Sequence, residues 1–177
     1  MKSPKEKGSR FERLICGRLS LWASDLKRED VFWRSAISGG RATFRKRRAL
    51  VSVDATSAGD VSAIHPLGFP LVERFFIECK HYRELKLELW LLGKKGEREE
   101  LWDVPLARAI ELGREPLVIA RQNRCDELVI TTARGAEILR RGEKEPGRFP
   151  LRGVIGRAHF FLLRELLDLD YARMVAA

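Results

Sequence analysis

Two acidic residues and a lysine in this sequence have the spacing of a hydrolytic metal centre. Asp60 follows Gly59, seventeen residues intervene, and Glu78, Cys79 and Lys80 then come in succession. Phe75, Phe76 and Ile77 give residues 74–82 strong strand propensity. Alternate side chains of a strand share a face, so Glu78 and Lys80 point one way and Cys79 the other. Residues 60–65 alternate polar and apolar and read as a second strand, with Pro66, Leu67 and Gly68 as the turn between. A hairpin of the two sets Asp60 beside Glu78. Adjacent carboxylates repel and raise each other's pKa. A divalent cation between them turns that repulsion into binding, and oxygen donors select Mg²⁺, with Mn²⁺ able to substitute. Beside such a site Lys80 has two roles open to it: to orient or deprotonate an attacking water, or to stabilise charge on a phosphate. The ordinary alternatives are a solvated Glu-x-Lys ion pair and a turn aspartate after glycine. The apolar strand argues against them, because charge placed in a core strand is costly unless it is paired or used.

The elements around these residues read as an α/β layer. Residues 1–8 read as a loose basic tail. A helix is expected from Ser9, capped by Ser9 and Glu12, with Phe11, Leu14, Ile15, Leu19 and Trp22 on one stripe and an end at Ser24 and Asp25. Residues 31–35 read as a strand, and residues 37–40 as a turn. Residues 41–57 read as a basic mobile insertion carrying Arg41, Arg45, Lys46, Arg47 and Arg48, with a short strand at 50–53. Residues 83–96 are ambiguous. Residues 97–112 predict a helix, with Pro105 marking its first true turn. Residues 116–120 and 127–132 predict strands, residues 133–141 a short helix, and residues 157–174 a helix or a strand followed by one. Together these give a central mixed sheet flanked by helices, in a single domain over 1–177.

The chain has 177 residues and a net charge of +9, with 34 Lys and Arg against 25 Asp and Glu. That excess favours a polyanionic partner such as DNA, gripped by the basic run at 41–48. No apolar run nears the roughly 20 residues of a membrane helix, and the charged start lacks a signal-peptide pattern. The expectation is a cytoplasmic protein without a membrane partner. Cys16, Cys79 and Cys125 form no CxxC pair and read as buried thiols rather than a zinc site. His65 and His81 flank the centre in sequence, but His81 points away from Lys80, and His159 has no visible partner. Trp33, Trp90 and Trp102 suit the core better than base stacking.

Four segments, in order, resemble the PD-(D/E)xK, or restriction-endonuclease-like, superfamily, and within it the archaeal-type Holliday junction resolvases, some of them phage-encoded. The segments are residues 7–13 (KGSRFER), residues 34–40 (RSAISGG), Gly59 to Val61, and Ile77 to Lys80. The resemblance implies a restriction-endonuclease-like fold and an Mg²⁺-dependent endodeoxyribonuclease, located in the host cytoplasm if phage-encoded. It implies Asp60, Glu78 and the backbone carbonyl of Cys79 as metal ligands, with Glu12 assisting. Lys80 and Ser38 become catalytic, and Lys7, Arg10 and Arg34 become DNA contacts beside the basic run. The helix after the Glu-x-Lys strand often carries a further Gln or Glu in this superfamily, for which Glu99 and Glu100 are the nearest candidates. The resemblance further implies four-way junctions as substrate and a homodimer, because two strands must be cut symmetrically. Phe160, Phe161, Leu162, Leu163, Leu166 and Leu167 supply apolar surface for a dimer or, equally, a core helix. Another endonuclease of the superfamily, of repair or restriction type, and a non-catalytic DNA-binding module of the same fold are the alternatives.

Overall fold

The computed structural model describes residues 4–35, 59–94, 98–145, 147 and 151–176. Helix α1 (Pro4–Ala23) opens the chain. It starts earlier than the Ser9 cap predicts, so residues 4–8 are its first turns rather than a tail, and Ser9 lies inside it. Proline suits a helix start, where its missing N–H is not needed. Phe11, Ile15, Leu19 and Trp22 form the buried stripe, while Leu14 is 43% exposed. Burying Ile15 and Leu19 completely contributes about 1.5–3 kcal/mol each. Trp22 Nε1 donates to Leu169 O at 2.7 Å and its ring meets Tyr171 edge-on, which ties the first helix to the end of the chain.

Strand β1 (Phe32–Arg34) pairs antiparallel with β2 (Val61–Ala63), Arg34 opposite Val61. The chain then turns through a 3-10 helix, Pro66–Gly68, into helix α2 (Phe69–Arg74), with proline in the first turn of each. Strand β3 (Phe75–Tyr82) follows. The hairpin between residues 60–65 and 74–82 therefore does not form. Leu71 and Val72 bury themselves through the intervening helix, which swings the chain round so that β3 returns parallel, joined at an isolated bridge between Gly59 and Ile77.

The connection from β3 to β4 (Glu115–Gln122) holds α3 (Leu87–Leu91), a π-helical turn over Glu99–Asp103, and α4 (Val104–Glu111). Pro105 explains the π turn. It has no N–H for the carbonyl four residues back, and the preceding Val104 N–H reaches five residues back to Glu99 O. A helical crossover of this kind is what a parallel strand pair requires, and β3 and β4 pair in parallel from Phe75 opposite Glu115 to Tyr82 opposite Gln122. Strands β5 (Leu128–Thr131), β6 (Gly153–Ile155) and β7 (Ala158–Leu162) complete a mixed sheet in the order β3-β4-β5-β7-β6. Helices α5 (Ala133–Arg140), α6 (Leu163–Leu166) and α7 (Tyr171–Val175) fill the remaining flanks.

Both faces of the sheet are covered, so its central strands read as nearly continuous apolar runs. Ile77, Cys79, Leu117, Ile119 and Phe161 pack in the cluster that includes α1. Val118, Ala120, Ile130 and Phe160 pack with Trp90, Leu101 and Trp102. Phe160, Phe161, Leu163 and Leu166 are thus core residues of one chain, and the dimer surface they offered in sequence is not there. Of the three tryptophans expected in the core, Trp33 is 60% exposed. Cys16 and Cys79 are buried as expected, while Cys125 is exposed. Among the described residues no helix is long and apolar enough to cross a membrane.

Candidate active site

Gly59 and Asp60 meet the outer edge of β3, which has β4 on its other side. Gly59 has φ +95°, and a Cβ there would lie 2.6 Å from Ile77 O, so only glycine permits this approach. Asp60 is then held at three points. Its N–H donates to Ile77 O at 2.9 Å, its carbonyl accepts from Ser35 N–H at 2.9 Å, and its carboxylate Oδ2 accepts from Cys79 N–H at 2.8 Å. In an extended strand a residue's N–H and C=O point to the same edge. The Cys79 carbonyl therefore also faces Asp60.

Glu78 and Lys80 share a face, as alternation requires, and Lys80 Nζ donates to Glu78 Oε1 at 2.8 Å. Asp60 and Glu78 are each only 6% exposed. Glu78 Oε2 is buried and, among the described residues, has no hydrogen-bond partner. The Asp60 carboxyl is pushed up from the ordinary 3.8 to about 7, first by burial and next by the charge of Glu78, with Glu12 adding to it. The Cys79 N–H and Lys80 oppose that rise without cancelling it. Glu12, on α1, is ion-paired with Arg34 of β1. The two residues expected as a ligand and a phosphate contact thus hold each other, and Arg34 carries an elevated pKa from that bond.

An orphaned carboxylate oxygen beside a second, charge-strained carboxylate fits a hard divalent cation. Among the described residues no group of three or more His, Cys, Asp or Glu side chains forms a metal cage. Mg²⁺ does not need one, since it characteristically takes one or two carboxylates and completes its shell with water and substrate phosphate. The donor set that converges is Asp60 and Glu78, with the Cys79 carbonyl on the same edge.

The chain matches the sequence model of a family described as "Phage putative PDDEXK endonuclease" over residues 3–144. The chain belongs to this family. The mixed sheet flanked by helices agrees with the restriction-endonuclease-like fold of such a PDDEXK endonuclease. No curated protein and no solved structure matches the chain significantly. The matched span contains both carboxylates and Lys80.

The remaining expected residues fall elsewhere or beyond view. Ser38, Arg41, Arg45, Lys46, Arg47 and Arg48, with the turn at 37–40 and the strand at 50–53, lie outside the described residues. Glu99 and Glu100 are exposed on the π turn. His65 accepts from Leu67 N–H through Nδ1 and so caps the 3-10 turn. His81 packs against the Phe11 ring, centroids 5.7 Å apart, and Nε2 meets Asn123 Oδ1 at 3.1 Å, on the face away from Lys80. Lys7 and Arg10 line a basic pocket with His81, Arg121, Asn123 and Arg124. Sequence reasoning missed the last two and Arg121, because a turn and a strand end supply them without a motif. The basic stretch around that turn was the one available signal.

Proposed function

We propose that this PDDEXK endonuclease is a divalent-metal-dependent DNA endonuclease acting on branched DNA, with four-way junctions as its substrate and one nuclease domain spanning 1–177. The observation that carries the catalytic part is the buried pair of Asp60 and Glu78, the latter with an unpartnered oxygen and Lys80 beside it. Asp60, Glu78 and the Cys79 carbonyl would hold the ion, Mg²⁺ by preference and Mn²⁺ in substitution. A cation bound there activates water and neutralises charge developing on the phosphorus. Lys80 holds the attacking water and sets a positive charge where the scissile phosphate docks. The backbone bonds on Asp60 fix its carboxylate before substrate arrives, so little reorganisation is needed at reaction. Glu12 and Arg34 orient each other at the rim, and Ser38 with the basic run at 41–48 completes the grip on the strand.

The junction reading rests on the four segments in resolvase order and on a net charge of +9 that reads backbone shape rather than base sequence. A homodimer suits it, since paired cuts need two centres. The test is cleavage of linear, flapped and four-way DNA in Mg²⁺ by the wild type and by Asp60→Ala. Paired symmetric nicks at the junction alone, lost in Asp60→Ala, are expected. Equal cutting of linear duplex refutes junction selectivity and leaves a general endonuclease. Tight binding with no cutting by the wild type leaves a DNA-binding module.

A further inference from the structure

A basic pocket of about 420 Å³ opens between the first half of α1 and the ends of β3 and β4. Its cations are Lys7 and Arg10 from the helix, Arg121 from the strand end and Arg124 from the turn that follows. No acidic side chain lines it. Among the described residues Lys7, Arg10 and Arg124 have no carboxylate partner. Arg121 has Glu127 at 3.7 Å, but Arg18 already holds that carboxylate at 3.0 Å. His81 and Asn123 add hydrogen-bonding groups at the wall, and Phe11 supplies an apolar floor.

Cations drawn together from three elements, three of them without a carboxylate partner among the described residues, repel one another unless an anion sits between them. Arg124 also holds a φ of +65°, a left-handed backbone in which a side chain costs energy and glycine would not. Its side chain lines the pocket. His81 follows Lys80 on β3 but faces the other way, so the pocket and the Glu78 and Lys80 side chains lie on opposite faces of the strand. From Glu78 to His81 is three residues of strand, roughly 10 Å.

We infer that this pocket binds one phosphate group of the DNA strand, displaced from the cut, with Arg121 and Arg124 as its principal contacts. The inference rests on DNA being the partner and not on cleavage. The phosphate is either an internal diester of the backbone or the monoester at a strand end, and both present the same anionic oxygens to the guanidinium groups. Holding it anchors the DNA to the protein at a point separate from the carboxylates.

Binding of the full chain to fluorescent four-way and linear DNA, by anisotropy in EDTA over 50–200 mM salt, tests this without any hydrolysis. The variants are Arg121→Ala with Arg124→Gly, and Arg124→Gly alone, which suits the left-handed turn and so leaves the fold intact. The double variant is expected to lower the slope of log affinity against log salt by about 0.9, the release expected for one phosphate. Arg157→Ala, an exposed arginine elsewhere, is expected to leave the slope unchanged. A drop that is independent of 5′-phosphorylation assigns the internal diester. A drop seen only on 5′-phosphorylated ends assigns the terminal monoester. An unchanged slope in the double variant, or an equal drop in Arg157→Ala, overturns the inference. A wild type that binds no DNA overturns it together with the DNA reading. If the double variant shows the drop while the wild type never cuts in Mg²⁺, the pocket stands and the nuclease reading falls.

Discussion

Replacing Asp60 by Asn makes the metal-free protein more stable at alkaline pH and leaves it nearly unchanged in acid. The Asp60 carboxyl titrates near 7 in the fold against an ordinary 3.8, because burial and Glu78 disfavour its charge. Below pH ~4 both folded and unfolded chains carry the proton, and the group contributes nothing. Between about 4 and 7 the folded chain keeps a proton that the unfolded chain has released, so stability falls as pH rises through that window. Above about 7 the penalty is fully present. At about 1.4 kcal/mol per pH unit, the rise sets a ceiling of about 4 kcal/mol. Asn has the same shape, lacks the charge, and its carbonyl oxygen still accepts from Cys79 N–H. Asp60→Asn is therefore expected to gain up to ~4 kcal/mol at pH 8 in EDTA, roughly 10 °C in melting temperature for a chain of this size. The gain should shrink to about 1 kcal/mol near pH 4.5 and towards zero below pH 4. Millimolar Mg²⁺ should stabilise the wild type at pH 8 and close the gap from the other side. Paired thermal melts of the two proteins across pH, with and without the ion, read this directly. A difference between them that does not vary with pH would show that Asp60 is not charge-strained, and the argument for a cation between the carboxylates would go with it.

Three further outcomes are expected. Lys80→Met should lower single-turnover cleavage by about 10²- to 10⁴-fold while DNA affinity in EDTA stays within a few-fold, since the lysine acts on the reacting phosphate and water. Gly59→Ala should cost about 3 kcal/mol in denaturant unfolding and abolish cleavage, because the added Cβ strikes Ile77 O and its φ is unsuited to alanine. Arg34→Ala should cost about 2 kcal/mol by the same measurement, as the largely buried Glu12 loses its guanidinium partner; a cost near zero would mean that the pair is solvated.

Much of this site was legible because strand alternation is a local rule. Phe75 to Ile77 declare a strand, and the rule alone puts Glu78 with Lys80 and turns Cys79 and His81 away. The partner strand was another matter. Asp60 does stand beside Glu78, but through Gly59 and a parallel bridge rather than a hairpin, because Leu71 and Val72 gain more by burial on a short helix than residues 66–68 gain as a turn. Pro70, in the first turn of that helix, was the sign to be read. The start of α1 was misplaced for a related reason: Ser9 looks like a cap, yet Pro4 already satisfies the condition for a first turn. The C-terminal leucines and phenylalanines left a dimer surface and a core helix equally open, because strand β6, only three residues long and half exposed, left no periodic trace to reveal a sheet edge beside them. Only half of the basic pocket was legible: the resemblance pointed to Lys7 and Arg10, while Arg121 and Arg124 come from more than a hundred residues further along the chain.

The bond from Cys79 N–H to the Asp60 carboxylate has a second consequence. Among the described residues strand β3 is the outermost strand on its side of the sheet, and such a margin tends to recruit extended segments from other chains. Asp60 plugs one of its open donors, so the group proposed to hold the ion also guards the sheet against self-association. A variant that removes this acceptor unstoppers the margin as well as the catalytic centre. Clumping by Asp60→Ala, with Asp60→Asn staying dispersed, would be the mark of that dual service.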